Sequence, residues 1–229
     1  GYLYYIENPE DIDEDNLKKW MLDSFAVGNL IGENLSLKDR ILVNQVPSAR
    51  DYLAALLEAM KENRTVTITY CAFGKTKSYT FCIEPYCVKL FENRWYVLAH
   101  NVQYDDIRIY GLDRIEDLKV EDRTFKLPKD FSASDFFSSY YGIVTNMNIN
   151  PERIVIRAYK DHIPYINSLP LHHSQKLLED NGEYADFELY LVPTYDFVMR
   201  LLHVGAMIEV VSPVSLRKTM KGWISDMYN

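Results

Sequence analysis

The sequence predicts an α+β protein: a small helical segment, a five-stranded β-barrel, and a βαββαβ module with an added C-terminal helix. Two observations predict it. The apolar period changes at Arg64 from near 3.6 to near 2, and five strand-like runs follow within about 60 residues. From Pro151 onward, strand-like and helix-like runs alternate instead.

In DEDNLKKWMLDSFAVGN, Leu17, Trp20, Met21 and Phe25 repeat at helical spacing behind an acidic start, and Gly28 is placed to stop the helix. In VPSARDYLAALLEAM, Ser48 and Asp51 have capping-box spacing, and Leu53, Leu56, Leu57 and Met60 line one face. The five runs RTVTITYCAF, SYTFCIEPYCVKLF, RWYVLAHN, DIRIYGLD and EDLKVEDRTF are too few for a sandwich and suggest a small, strongly bent barrel. Pro85 marks a bulge or an edge in the second. Residues 128–150 form a linker with aromatic anchors.

In the last segment RIVIRAY is a strand and KDHIPYINSL a helix. LHHSQKLLED and EYADFELYLV make a hairpin through Asn181-Gly182, a pair that suits a type I′ turn. Thr194 caps the helix YDFVMRLLHV and Gly205 ends it. MIEVVS is the fourth strand. Ser212 and Pro213 open a last helix carrying Leu216, Met220, Trp223 and Met227. The order is that of a ferredoxin-like split βαβ with one helix added. The expected divisions are 1–63, 64–127, 128–150 and 151–229.

The chain has 229 residues and a formal charge of −8, which argues against the whole surface being a nucleic-acid platform. Residues 64–120, with 8 basic and 7 acidic side chains, form the only segment that is not net acidic. No apolar run reaches the ~18 residues of a membrane span. The N-terminus lacks the basic and apolar regions of a signal peptide, so a cytoplasmic protein without membrane contact is expected.

Catalytic motifs are missing: there is no GxSxG, no HExxH and no glycine-rich phosphate loop, so no enzymatic activity and no cofactor are expected. Cys71, Cys82 and Cys87 are odd in number and lack a CxxC pair. They read as small buried side chains in strands, not as a zinc site or disulfide framework. His172-His173 is the most metal-like feature, but adjacent residues of a strand point to opposite faces. Asp11, Asp13, Glu14 and Asp15 lack the glycine and closing glutamate of a calcium loop. No metal site is expected.

That leaves the barrel. Tyr96, Leu98 and His100 share one face of their strand, and Arg108, Tyr110 and Leu112 share a face of the next. A hairpin through Asn101–Asp106 could bring Arg108 beside the aromatics, where a ring stacks on a planar group and a guanidinium forks onto phosphate or carboxylate. The same residues also suit a filled barrel with arginines at its rim.

Trp95-Tyr96-Val97 followed by R-x-Y-x-L-D-R-I at Arg108–Ile115 resembles the signature of the WYL-domain family, with Val97 where the family usually has leucine. The tail from Pro151, with HHSQ, Asn181-Gly182 and SPVSLR, is similar to the family's WCX extension, so the resemblance covers nearly the whole chain. It implies the ligand-sensing, dimerising part of a bacterial transcription regulator, with an Sm-like, SH3-related barrel. Its effector would be a nucleic-acid fragment or nucleotide, and operator DNA would be reached through a helix-turn-helix domain. No basic recognition helix is visible in residues 1–63, so that domain is expected to be missing, in a truncated piece or a stand-alone sensor. By match to the motif, Trp95, Tyr96, Arg108, Tyr110 and Arg114 form the expected sensor patch. Asp113 would orient Arg114 or the turn. Strand geometry adds His100 and Arg94. The rival readings are an Sm-type single-stranded nucleic-acid-binding module without a switch, and a protein-interaction scaffold whose arginines pair with Asp105, Asp106 or Asp113.

Overall fold

The computed structural model describes residues 49–228 continuously, and residues 24, 26, 29, 30, 32, 33 and 40 singly before them. The chain forms two compact units, 1–46 and 47–229. In the first, residues 24, 26, 29, 30, 32 and 33 are helical; Leu17, Trp20, Met21, Phe25 and Gly28 lie outside the described residues. All that follows concerns the second unit.

Helix α1 (Arg50–Lys61) starts from Ala49, which supplies no side-chain cap; Ser48 lies outside the described residues. Its buried residues are Leu56 and Ala59, while the expected stripe member Leu57 is exposed. The five strands are β1 (Arg64–Tyr70), β2 (Tyr79–Phe91), β3 (Arg94–Asn101), β4 (Asp106–Gly111) and β5 (Ile115–Thr124). They form one antiparallel sheet in the order β4-β3-β2-β1-β5. β2 runs through Pro85 without breaking, and the register against β3 shifts there, so the proline sits at a bulge. Val66, Ile68, Ile83, Val97 and Tyr110 make the core, on which Leu56 of α1 packs. A 3₁₀ turn, Leu112–Arg114, joins β4 to β5. All three cysteines are free and half-buried, a weaker burial than expected.

The second sheet holds β6 (Glu152–Tyr159), β7 (Lys176–Asp180), β8 (Tyr184–Leu191) and β9 (Ile208–Ser212), antiparallel in the order β7-β8-β6-β9. Its core joins Ile154, Ile156, Phe187 and Leu189 to Phe197 and Leu201 of α4 (Tyr195–Val204). Helix α3 (Ile163–Ser168) contributes Ile166, and α5 (Val214–Tyr228) contributes Leu216, with Met220 and Trp223 beside it. Met227 is exposed instead. At the β7–β8 turn only Gly182 has positive φ, so the turn is not type I′; the Asn181 side chain closes it by accepting from Glu183 and Tyr184 N–H.

Between the sheets, the linker contains a short helix, α2 (Ala133–Phe137), capped by Ser132. It then passes through a tight junction. Lys89 on β2 donates to the Gly142 carbonyl at 2.8 Å and lies 4.0 Å over the Phe137 ring. From the other side Asp196, in the first turn of α4, accepts from the N–H groups of Ile143 and Val144, each at 2.7 Å. Gly142 is required here, because a Cβ would come within 2.8 Å of the Asp196 Cβ. Thr194, expected as the cap of α4, makes no side-chain cap bond.

His172 and His173 lie in the turn before β7, not in a strand, and their rings are 4.1 Å apart. No cluster of three metal-ligating side chains forms among the described residues. His172 is buried, with Nδ1 2.7 Å from Ser174 Oγ. Burial pushes its pKa down to about 4, and His173 and Lys89 push the same way.

Two outcomes follow from the junction and from the buried histidine. Asp196→Ala removes two charge-assisted hydrogen bonds and should cost about 2–4 kcal/mol in urea unfolding, with faster proteolysis between residues 138 and 146. His172 is neutral in the fold, with a pKa below its unfolded value of about 6.5. Its stabilisation is therefore present above pH ~6.5 and is lost as pH falls toward the folded pKa. Unfolding free energies at neutral pH and near pH ~4.5 should differ by roughly 2–3 kcal/mol less in His172→Asn than in the native chain.

Candidate functional site

The register of β3 on β4 decides which expected residues can meet. Val97 pairs with Tyr110 and Ala99 with Arg108, so Arg108 and Tyr110 lie on the same sheet face as Trp95, Val97 and Ala99. Tyr96 and His100 are on the opposite face. The expected grouping of Arg108, Tyr96 and Tyr110 therefore does not form.

Tyr110 belongs to the core and Trp95 lies half-buried at its edge. Trp95 packs against it, and Tyr110 is enclosed by Tyr70 and Phe81, its hydroxyl accepting from Asn101 Nδ2 at 2.8 Å. Arg108 stands at the far end of β4, 4.2 Å over the Tyr104 ring, with its Nε a long 3.4 Å from Asp106. His100 is held between two carboxylates, with Nδ1 2.9 Å from Glu84 and Nε2 2.9 Å from Asp105.

The other three residues meet at the opposite end of the hairpin. Arg114, in the 3₁₀ turn, has its guanidinium 4.8 Å from the Phe73 ring, 5.5 Å from Tyr70 and 6.0 Å from Tyr96. Arg94, at the start of β3, lies 5.6 Å from the same Phe73 ring and pairs with Asp113 Oδ2. Asp113 Oδ1 sits 3.8 Å from Arg114 Nε, and both atoms are buried without a hydrogen-bond partner. Among the described residues Arg114 makes no side-chain hydrogen bond at all, although only 20% of its side chain is exposed. Burial raises the pKa of the Tyr70 and Tyr96 hydroxyls, and the Arg114 charge beside each opposes that rise.

Local sequence explains this arrangement. Gly111 pairs with Tyr96, and a Cβ there would lie 2.8 Å from both Arg114 Nε and Asp113 Oδ1, so the missing side chain lets these two side chains pack directly over the strand end. The β1–β2 loop supplies the other wall. A cleft of about 280 Å³ lies between residues 71–75 and 113–116, with Phe73 largely exposed at its edge. Its lining sets Lys75 and Arg114 against Asp113 and Glu116, so its charges balance, and Arg94 adds a further cation beside the Phe73 ring. By contrast, Arg157 on the second sheet is bound bidentately by Asp186 at 2.7 and 2.9 Å, and Arg153 pairs with Glu188. Phe73 was missed in the sequence because its strand run ends there, in a loop with no periodic signal.

The comparisons agree with this architecture. The WYL domain is matched over residues 51–120 and the WCX domain over residues 150–228. The chain belongs to the WYL-domain family. Two solved structures are similar. Proteasome accessory factor B/C (PafBC) of Arthrobacter aurescens is 16% identical over 80% of this chain and 27% of that one, with a TM-score of 0.36. A CRISPR Cas-related protein is 11% identical over 79% of this chain and 53% of that one, with a TM-score of 0.45. The chain thus spans about a quarter and about half of the two. No curated protein matches it. Among the described residues no helix is long and apolar enough to cross a membrane.

The WYL domain also yields a pH expectation. Burial alone would lower the His100 pKa, but the hydrogen bonds to Asp105 and Glu84 and the charges of both outweigh it, and the pKa is raised. A raised pKa means the clamp stabilises the β3–β4 hairpin fully below about 6.5 and loses that contribution as pH rises through the folded value. An NMR titration should place the His100 ring midpoint above that of a free histidine, and Asp105→Asn should lower it.

Proposed function

We propose that this chain is the ligand-sensing part of a WYL-type transcription regulator, and that it binds an anionic ligand in the cleft of Phe73, Lys75 and Arg114, with Arg94 beside its edge. The observation that carries the reading is Arg114: a guanidinium framed by three aromatic rings, whose buried Nε has no hydrogen-bond partner among the described residues. A guanidinium so placed can fork onto a phosphate while the exposed Phe73 ring stacks on a base. A nucleic-acid fragment or nucleotide meets both demands, and the family membership points the same way.

On this reading the first sheet is an Sm-like barrel, and the second, with its order β7-β8-β6-β9, is a ferredoxin-like module. The chain works as a non-catalytic cytoplasmic homodimer, and its DNA reading belongs to a helix-turn-helix domain. Relative to the sequence expectation, the sensor moves from Arg108 to Arg114 and Arg94. Tyr96 stays as a ring beside Arg114, and Trp95, Tyr110 and His100 become supporting residues.

A scaffold without a ligand is favoured by one observation, the pairing of Arg94 with Asp113. Fluorescence anisotropy with labelled short single-stranded DNA and RNA, at two salt concentrations, separates the two. Saturable binding should fall at least tenfold in Arg114→Ala and change little in Arg108→Ala, consistent with ~1.5–3 kcal/mol per charge-assisted hydrogen bond. Binding that only grows with oligonucleotide length and collapses with salt would indicate a plain nucleic-acid-binding module. No binding, with lowered stability in Arg114→Ala, would leave the scaffold.

A further inference from the structure

Helix α5 presents more apolar surface than the core uses. Leu216, Met220 and Trp223 pack inward, yet Val214 and Ile224 are 63% and 53% exposed on another side of the helix. Between α5 and β9 runs a cleft of about 600 Å³, floored by Val210, Val214, Met220 and Ile224. β9 is an edge strand, paired only with β6.

Charge distinguishes this cleft from a patch of incidental hydrophobics. Arg217 is committed to Glu209 at 2.6 Å. Lys218 and Lys221, which also line the cleft, are exposed and have no acidic partner among the described residues. In a chain of net charge −8 this is an apolar groove with a basic rim. We infer that the α5–β9 groove docks an acidic, amphipathic helical segment of a partner protein.

The groove fits such a helix in length as well as in chemistry. Its α5 wall, from Val214 to Ser225, spans about 16 Å at ~1.5 Å per residue, the length of a three-turn helix. Leucines at helical spacing would enter the floor, as in other helix-in-groove complexes, and glutamates on the flank would meet Lys218 and Lys221. A second copy of this chain would bring the same two lysines against each other when the groove faces itself, so like charges disfavour that occupant. The inference stands apart from the anion cleft of the WYL domain and does not depend on it.

The test uses the full chain and two labelled peptides of about 15 residues, both with leucines at i, i+3, i+4 and i+7, one with glutamates and one with lysines between them. The acidic peptide should bind saturably in fluorescence anisotropy and the basic one should not. Binding should fall at least tenfold in both the K218E/K221E double variant and Val214→Asp, while Arg114→Ala leaves it unchanged. Equal binding of the two peptides, or acidic binding untouched by K218E/K221E, overturns the proposal. So does a dimer in sedimentation that Val214→Asp dissociates, because the groove is then occupied by a second copy.

Discussion

Two charged groups, Lys89 on β2 and Asp196 on α4, hold one short piece of backbone, and the arrangement of the described residues depends on it. Lys89 binds the Gly142 carbonyl from the WYL domain, and Asp196 binds the next two N–H groups from the WCX domain. Without these bonds the two sheets would share only a long connection, residues 125–151, of a length that compact domains rarely leave unanchored. The apolar contacts follow the same route: Phe91 packs on Tyr141 at 5.7 Å, and Tyr141 packs on Phe197 at 6.0 Å. Burial lowers the Lys89 pKa to about 8, against the opposing pull of Asp196. The ammonium is retained because it is bonded to a carbonyl, lies on an aromatic face and sits near a carboxylate.

The Tyr96 ring lies 6.0 Å from the Arg114 guanidinium, and burial, Arg114, Arg94 and Asp113 all weigh more on its hydroxyl than the charge of Asp196 does. An anion at Arg114 would weaken the positive field on one side of Tyr96 while the negative field on the other remains. A switch between mostly off and mostly on needs a differential of about 5.5 kcal/mol. Electrostatics through a single tyrosine supplies only part of that. In the proposed switch the remainder would come from repacking of the segment that Asp196 holds, where each lost charge-assisted bond is worth ~1.5–3 kcal/mol.

Element types were legible in the sequence because period and turn residues act locally. The five strands, the second module's order and the helix carrying Leu216 and Trp223 all follow from such signals. Pairing register is not local. Whether Arg108 shares a face with Tyr96 or with Val97 depends on how β3 meets β4, and a one-residue difference moves a side chain to the other face. The same limit hid the cleft. Phe73, Arg94 and Arg114 come from three separate stretches that only the folded sheet brings together. The WYL signature held part of the answer, since Arg114 belongs to it, but its Tyr110 is a core residue and its half-buried Trp95 packs against that core.

Asp113 gives the last reason to place function at this turn. Its two oxygens face two arginines, yet only the Arg94 side is bonded; the Arg114 side stops at 3.8 Å with both atoms unsatisfied. A shift of roughly 1 Å would bring that pair within hydrogen-bond distance. A chain shaped only for stability would gain from that shift, because an unsatisfied buried polar group costs about 1–3 kcal/mol. The fold instead keeps Arg114 under-bonded inside three aromatic rings while Arg94 holds the carboxylate. An incoming phosphate or carboxylate would supply the missing acceptor without first having to break an internal hydrogen bond. Arg157, clamped bidentately by Asp186, would have to lose two such bonds before it could do the same.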